Sequence, residues 1–304
     1  MHPNILLQPL PHPAATRRGV RLLLWRDDLR HPALPGNKAR KLKYNLLQAR
    51  AEGHARLLTF GGAYSNHLAA VAAAGRLYGF DTLGLVRGEE HQPLNPTLAQ
   101  CRTDGMALHY LDRATYRRRV EPAFLAEVQA QHGPAYLLPE GGTNALALRG
   151  VAELIPELRQ HTDFDAVAVA AGTGGTLAGL ALGLAEAGYP ARALGVAALK
   201  GANFLRQDID ALTQAAAGRV LTNYELHLGY HHGGYAKLPA DLRVFIAGFQ
   251  QQYRVLLDPI YTGKLLAGVL NLIEQGHFAR GSTVVAVHTG GLQAWAGFGG
   301  PPTP

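Results

Sequence analysis

Short apolar runs alternate with helix-length segments along almost the whole chain of 304 residues. The runs are rich in β-branched and aliphatic residues, which favours buried strands, and the segments between them have helical periodicity. Parallel strands need such crossovers, so the alternation predicts an α/β fold with mostly parallel sheets. The predicted strands are residues 20–25, 57–60, 82–86, 107–111, 135–138, 166–170, 193–197, 224–228 and 283–288. The predicted helices are residues 66–78, 115–131, 144–159, 176–187, 239–254 and 263–275.

Composition excludes several classes of protein. Hydrophobic residues make up 47% of the chain and charged residues 17%, which is ordinary for a folded globular protein. The single cysteine, Cys101, excludes an internal disulfide and a thiolate-rich metal site, and we expect a cytoplasmic protein without a secretory signal. The longest apolar stretch, residues 166–185, contains five glycines and predicts a strand, a turn and a helix rather than a membrane span.

The net charge of +7 is compatible with a nucleic acid partner. The basic residues are scattered, however, and aromatic residues do not alternate with them as a stacking platform for bases would require. The basic run Arg117–Arg119 is better explained as the solvated face of a helix. We therefore expect neither nucleic acid nor a membrane as partner, and a positive field of this size suits phosphate and carboxylate ligands.

A glycine-rich turn follows the predicted strand at residues 166–170 and leads into a helix. The free N–H groups at the start of a helix, together with its dipole, favour phosphate binding. The turn matches neither the P-loop pattern nor GxGxxG, because Ala178 stands where the third glycine would be. We predict a phosphate site in this turn, with an ordinary turn as the alternative. The site would comprise Gly172, Thr173, Gly174, Gly175 and Thr176.

Two further segments place polar residues at predicted helix starts. Residues 35–44 read PGNKARKLKY, a basic cluster that by itself fits solvated lysines. Residues 60–67 read FGGAYSNH, in which the glycine pair allows a close backbone approach and Ser65 and Asn66 offer donors to an anion. A plain Ser/Asn helix cap is the alternative for the second segment.

The remaining motifs are weaker when each is taken alone. Residues 257–264, LDPIYTGK, and residues 287–291, VHTGG, are each compatible with a simple turn. Among the histidines, His227, His231 and His232 lack partner carboxylates in a helical i, i+4 register. We therefore expect surface or packing roles for these histidines and no metal site.

Taken together and in this order, GNKARKLKY, GGAYSNH, AGTGGT, DPIYTGK and HTGG resemble one family. It is the pyridoxal 5′-phosphate (PLP)-dependent family of D-cysteine desulfhydrase and 1-aminocyclopropane-1-carboxylate (ACC) deaminase. The resemblance covers about residues 20–295. It implies the fold type II architecture, similar to the tryptophan synthase β subunit, with two open twisted α/β lobes and the cofactor between them. The implied large lobe comprises residues 1–51 and 145–304, the small lobe comprises residues 52–144, and a homodimer is expected.

The resemblance also implies roles for individual residues. The lysine of the Gly-Asn-Lys motif, Lys38, would carry PLP as a Schiff base. The implied catalytic residues are Lys38, Ser65, Tyr235 and Tyr261. The implied cofactor contacts are Lys38, Asn66, Gly172, Thr173, Gly174, Gly175, Thr176 and Thr262, and the implied substrate contacts are Ser65, Asn66, His67, Tyr235 and Thr289. Independently of the family, a lysine becomes nucleophilic when a desolvated, cationic neighbourhood lowers its pKa, and we expect Arg40, Lys41 and Lys43 to supply such neighbours.

Two threonines bear on the reaction. In the family that the motifs resemble, ACC deaminases carry glutamate at the position of Thr262 and leucine at that of Thr289, whereas desulfhydrase-like members carry threonine at both. The sequence therefore predicts α,β-elimination from D-cysteine or a related small amino acid, with release of sulfide, ammonia and pyruvate. ACC deamination is one alternative. A non-catalytic PLP-binding protein is the other, because Pro35 and Ala69 replace a glycine and an arginine that relatives commonly carry.

Overall fold

The computed structural model describes residues 6–302 of the chain. The chain divides into two compact units, each with its own sheet. The first unit comprises the described residues up to Lys41 and those from Asn144 onward, and the second comprises Leu42–Thr143.

The first unit is built on a six-stranded sheet with the strand order β1-β2-β10-β7-β8-β9. Its strands are β1 (Leu7–Pro9), β2 (Arg21–Trp25), β7 (Ala166–Ala171), β8 (Arg192–Ala197), β9 (Tyr224–His227) and β10 (Thr283–Val287). Only the edge strand β1 pairs antiparallel with its neighbour, and the other pairings in this sheet are parallel.

Helices cover both faces of this sheet, because successive side chains of a strand point to opposite faces. In β7, Val167 and Val169 belong to one apolar cluster, whereas Ala166 and Ala168 belong to another. The first cluster includes side chains of α7 (Ala145–Ala152), α8 (Leu154–Arg159), α9 (Gly175–Glu186) and α10 (Leu205–Ala217). The second includes side chains of α1 (Pro13–Arg18), α11 (Ala240–Tyr253) and α12 (Thr262–Glu274).

The second unit has a parallel four-stranded sheet with the strand order β5-β4-β3-β6. Its strands are β3 (Arg56–Gly62), β4 (Asp81–Arg87), β5 (Met106–Leu111) and β6 (Tyr136–Leu138). Its helices are α3 (Asn66–Tyr78), α4 (Pro96–Thr103), α5 (Arg113–Arg117) and α6 (Pro122–His132), and α2 (Asn37–Ala51) begins in the first unit and continues into the second.

The predicted architecture is confirmed, and the differences have local causes. All nine predicted strands are present, the sheets are mostly parallel, and α3 has the predicted bounds. The helix predicted over residues 115–131 is interrupted before Pro122, and the one predicted over residues 144–159 is interrupted before Leu154. Both breaks follow from proline, because Pro122 fits only a first helical turn and Pro156 cannot donate to the carbonyl of Ala152.

Several elements were missed in the sequence. They are β1, α1, α4 and α10. The apolar stretch of residues 166–185 forms β7, the glycine-rich turn and most of α9, as predicted. Over residues 6–302, the helices are all too short or too polar to cross a bilayer.

Candidate active site

Lys38 lies in the first turn of α2 and is connected to the glycine-rich turn through Asn37. The Nζ atom of Lys38 donates a hydrogen bond to Oδ1 of Asn37 over 3.2 Å. The Nδ2 atom of Asn37 in turn donates to Oγ1 of Thr176 over 2.8 Å. Since the Thr176 hydroxyl accepts this bond, its own proton remains available for another acceptor. One amide therefore links the lysine to the start of α9.

The start of α9 has the form of an anion-binding turn. Its N-cap residue is Gly174, which has a φ of 74°, and no side chain in the described part of the chain caps the helix. A Cβ atom at Gly174 would lie 2.7 Å from Cγ1 of Ile209, so both the backbone conformation and the available space require glycine. Because side-chain capping is absent, the first N–H groups of α9 can be offered to a ligand.

The environment of Lys38 shifts its amine toward the neutral form. Burial lowers the pKa of Lys38 to about 8, although the negative charge of Asp258 acts in the opposite direction. The expectation that Arg40 contributes a cationic neighbourhood is wrong. Buried Arg40 donates two hydrogen bonds to Oδ1 of Asp27, at 2.8 and 3.0 Å, and one to Oε2 of Glu157 at 2.7 Å, so two carboxylates balance its charge.

Two other lysines of the first unit also have lowered pKa values. Burial lowers the pKa of Lys41 well below its ordinary value, with a further contribution from the charge of Lys38. Burial also lowers the pKa of Lys264 to about 8, against the effect of Asp258. Lys41 and Lys264 are buried, whereas Lys38 is partly exposed. Of the three amines, that of Lys38 is the one a ligand reaches most easily.

Asp258 organises the DPIYTGK motif from a fully buried position. Its Oδ1 atom accepts from the N–H groups of Ile260 at 2.9 Å and of Tyr261 at 2.8 Å. Its Oδ2 atom accepts from both the N–H and the O–H of Thr262 at 2.7 Å. The Thr262 hydroxyl also accepts from the N–H of Asp258 at 2.8 Å. The hydroxyl proton of Thr262 is thus committed to Asp258, and one lone pair of the oxygen remains.

Tyr261 lies beside the glycine-rich turn and close to Tyr235. A Cβ atom at Gly172 would lie 3.0 Å from Cε1 of Tyr261. The ring centroids of Tyr235 and Tyr261 are 6.2 Å apart in an edge-to-face arrangement, and the side chain of Tyr235 is exposed. Lys264 holds the turn that carries Tyr235, because its Nζ donates to the carbonyl of Gly234 at 2.7 Å.

The loop before α2 packs closely against the HTGG motif. Gly36 has a φ of 73°, and a Cβ atom there would lie 1.8 Å from the carbonyl oxygen of Thr289. The N–H of Asn37 donates to the same oxygen over 3.4 Å. This close backbone approach brings Thr289 beside the residue that precedes Lys38, and only glycine is compatible with it.

The GGAYSNH motif belongs to the second unit. Oγ of Ser65 caps α3 by accepting from the N–H groups of His67 and Leu68, each at 3.2 Å. The Oδ1 atom of Asn66 is buried and has no hydrogen-bond partner among the described residues. His67 is buried, its Nε2 lies 2.8 Å from Oγ1 of Thr59, and its ring packs against Gly142. These contacts pack His67 within the second unit, and the substrate contact expected for it stays a prediction.

The residue pattern assigned no role to three residues of these motifs. Asn37 donates a hydrogen bond to Thr176, and Lys264 donates one to Ala198, each far away in the sequence. Asp258 fixes the backbone at Tyr261. In the sequence, the one sign of a role for Asn37 and Asp258 is that each is a polar residue in a motif that contains glycine and proline.

Comparison with known proteins identifies the family. The model of the family described as pyridoxal-phosphate dependent enzyme matches residues 5–290. The chain belongs to this family. PLP is therefore the cofactor, and the family resemblance of the five motifs is confirmed.

Individual relatives agree with this assignment. A protein of Pyrococcus horikoshii named "Putative 1-aminocyclopropane-1-carboxylate deaminase" is 28% identical over 286 residues, which cover 92% of this chain and 87% of the relative. The D-cysteine desulfhydrase of Salmonella newport is 30% identical over 294 residues, which cover 91% and 88% of the two chains. A solved structure described as an ACC deaminase homologue has a TM-score of 0.85 at 29% identity and covers 96% of this chain and 91% of its own. The fold type II assignment is confirmed as well.

Proposed function

We propose that this PLP-dependent enzyme catalyses α,β-elimination on a small amino acid, in the manner of a D-cysteine desulfhydrase. One observation carries the assignment of PLP chemistry to this site: Nζ of Lys38 is joined through Asn37 to Thr176 at the uncapped start of α9. A nucleophilic amine and a phosphate-binding turn on one hydrogen-bonded path are what PLP attachment requires.

The residues of the first unit fit the cofactor. The turn from Gly172 to Thr176 would hold the phosphate through N–H groups and the free hydroxyl proton of Thr176. Lys38 would bind the aldehyde carbon covalently through Nζ. Tyr261 and Thr262, fixed by Asp258, would contact the ring. In the second unit, the buried Oδ1 atom of Asn66 has no donor among the described residues, and we keep Asn66 as a proposed cofactor contact.

The chemistry divides between the cofactor and the protein. When bound, PLP supplies the electron sink that makes the Cα–H bond of the substrate acidic. The amine of Lys38, in its neutral form, would accept the Cα proton at Nζ. Ser65 and Tyr261 would assist later proton transfers, and the Cβ–S bond would break with loss of sulfide. Water then completes the release of ammonia and pyruvate from D-cysteine.

Thr262 favours elimination over opening of a cyclopropane ring. A hydroxyl at position 262 carries no charge, so it stabilises a protonated ring nitrogen less than a glutamate would. The hydroxyl proton of Thr262 is committed to Asp258, which leaves the oxygen as a hydrogen-bond acceptor only. A weaker electron sink is sufficient when the β-substituent is a good leaving group, as thiolate is.

ACC deamination is the second candidate. It is favoured by the solved structure described as an ACC deaminase homologue, which covers nearly the whole chain. A non-catalytic PLP-binding protein is the third reading, which rests on Pro35 and Ala69.

The purified, PLP-loaded protein should therefore be assayed against D-cysteine, L-cysteine, D-serine and ACC, with Lys38→Ala as the inactive control. We expect sulfide and pyruvate from D-cysteine. Formation of 2-oxobutanoate from ACC without sulfide from either cysteine would establish the second candidate instead. A spectral change with amino acids but no product would identify a binding protein.

A further inference from the structure

Two histidines and a glutamate converge at the edge of the sheet in the first unit. Glu225 and His227 are two residues apart on the edge strand β9, so their side chains point to the same face. His277 follows the C-terminus of α12. Its Nε2 atom and that of His227 lie 3.0 and 3.4 Å from the same oxygen, Oε2 of Glu225. The three candidate ligand atoms lie within 4.8 Å of one another.

The backbone fixes both arms of this cluster. At the end of α12, the N–H of Gly276 donates to the carbonyl of Ile273, and the N–H of His277 donates to that of Leu272. Gly276 has a φ of 78°, and these two bonds form a Schellman motif, which sets the position of His277. The carbonyl groups at a helix C-terminus also favour a nearby cation.

The hydrogen bonding of the cluster is incomplete. The Nε2 atom of His227 is buried and makes no hydrogen bond of good geometry within residues 6–302, although it lies 3.4 Å from Oε2 of Glu225. A buried polar nitrogen without a partner is unfavourable, and a metal ion would satisfy it.

We propose that Glu225, His227 and His277 bind one divalent cation of the zinc type, with water completing the coordination. Bond lengths of about 2.0–2.2 Å for zinc to nitrogen and oxygen place neighbouring tetrahedral ligands about 3.4 Å apart. The two nitrogen-to-oxygen distances in the cluster, 3.0 and 3.4 Å, are close to this value. Two imidazoles and a carboxylate are a donor set that zinc accepts. The site joins β9 to the end of α12 and shares no residue with the candidate active site, so it is independent of the proposed reaction.

Arg192 adjusts the affinity of this site. Its Nε atom lies 2.8 Å from Oε1 of Glu225, the carboxylate oxygen that does not face the histidines. Oε2 is left for the metal, which would be bound by one oxygen of the carboxylate. The guanidinium charge beside the site opposes a cation, so its removal should strengthen binding.

The test is titration of the PLP-loaded, tag-free protein with ZnCl2, followed by calorimetry. We expect one saturable site per chain and a rise in melting temperature on binding. His277→Ala and Glu225→Gln should each weaken binding at least about 100-fold. Arg192→Gln should strengthen it by up to about fivefold. His91→Ala removes an exposed histidine of the second unit and should leave binding unchanged.

X-ray absorption of the zinc-loaded protein provides a second measurement. It should show two imidazole ligands and oxygen at about 2.0–2.2 Å. Absence of saturable zinc uptake by the folded wild-type protein would overturn the proposal. So would equal zinc affinity in His277→Ala and His91→Ala, because the metal would then be bound elsewhere, for example at the neighbouring rings of His109 and His132.

Discussion

The helices α9 and α3 each follow a strand and a glycine-containing turn, yet they differ in how the N–H groups at their starts are used. At α3, Oγ of Ser65 accepts from the N–H groups of His67 and Leu68. At α9, the N-cap is Gly174 and no side chain of the described residues caps the helix. A capped start stabilises the helix, whereas an uncapped one keeps its N–H groups available for an anion.

This comparison separates two segments that look alike in the sequence. The sequence suggested that both could bind an anionic group. The structure supports a phosphate site at α9 and gives Ser65 a capping role, while its hydroxyl proton stays available for the catalytic role that we propose. Asn37 strengthens the contrast, because it connects Lys38 to α9 through Thr176.

We expect the largest effect, on PLP affinity, when a Cβ atom is added at Gly174, the uncapped start of α9. Gly174→Ala would require an alanine at a φ of 74° and within 2.7 Å of Ile209, so the turn would have to shift. We expect PLP affinity to fall by about 100-fold, which corresponds to the roughly 3 kcal/mol expected for backbone strain. The measurement is the dissociation constant of PLP in the cofactor-free protein.

Gly218→Ala is the matched control. Gly218 caps the end of α10 at a φ of 70°, with nothing within 4 Å of an added Cβ atom. It should cost about 1 kcal/mol of stability and leave PLP affinity unchanged. Equal loss of PLP in the two variants would show that the start of α9 has no special role.

An intermediate effect is expected from pH. With a pKa of about 8, the amine of Lys38 is mostly protonated at pH 7 and mostly neutral at pH 9. The rate of PLP incorporation into the cofactor-free protein should rise about tenfold per pH unit below pH 8 and level off above it. A midpoint near 10.5, the ordinary value for lysine, would contradict the proposed environment of Lys38.

The same lowered pKa has a consequence for stability. Because the pKa of Lys38 is lower in the folded state, the unfolded chain binds more protons between about pH 8 and 10.5. The stability of the cofactor-free protein should therefore rise with pH through this window. Lys264, with a pKa of about 8, contributes in the same direction.

We expect the smallest effect when the side-chain cap of α3, Ser65, is removed. Ser65→Ala should lower the free energy of unfolding by about 1 kcal/mol, because two N–H groups of α3 lose their acceptor. PLP should be retained, while turnover should fall if Ser65 assists proton transfer. Asn95→Ala removes the cap of α4 in the same unit and should cost a similar amount of stability with normal turnover. Equal turnover in the two variants would limit Ser65 to capping.

The sequence predicted the elements whose signals are local. Each apolar run of a parallel strand was visible, whereas β1 has only three residues, ends in proline and pairs at the edge of the sheet. The signals for α4 were present, since Asn95 and Pro96 are a favourable N-cap and first-turn pair. The helices predicted over residues 115–131 and 144–159 were too long, because Pro122 and Pro156 interrupt them.

The candidate site was only partly predictable for a different reason. Motifs identified Lys38 and the turn at Gly174, but the role of Asn37 depends on Thr176, which is 139 residues away. The balancing of Arg40 by Asp27 and Glu157 likewise depends on the fold. A surface or packing role was expected for His227, because its two partners in the cluster are Glu225, at strand rather than helical spacing, and His277, in a distant part of the chain.

The central claim is that the cofactor is attached to Lys38, and borohydride reduction of the holoenzyme tests it most directly. Reduction fixes the cofactor to its lysine, and peptide mapping by mass spectrometry then locates it. Lys41 and Lys264 also have lowered pKa values, so they are the relevant competitors. We predict that the label is on Lys38 alone and is lost in Lys38→Ala, which should also lose the visible absorbance of lysine-bound PLP. A label on Lys41 or Lys264 in the wild-type protein would contradict the account.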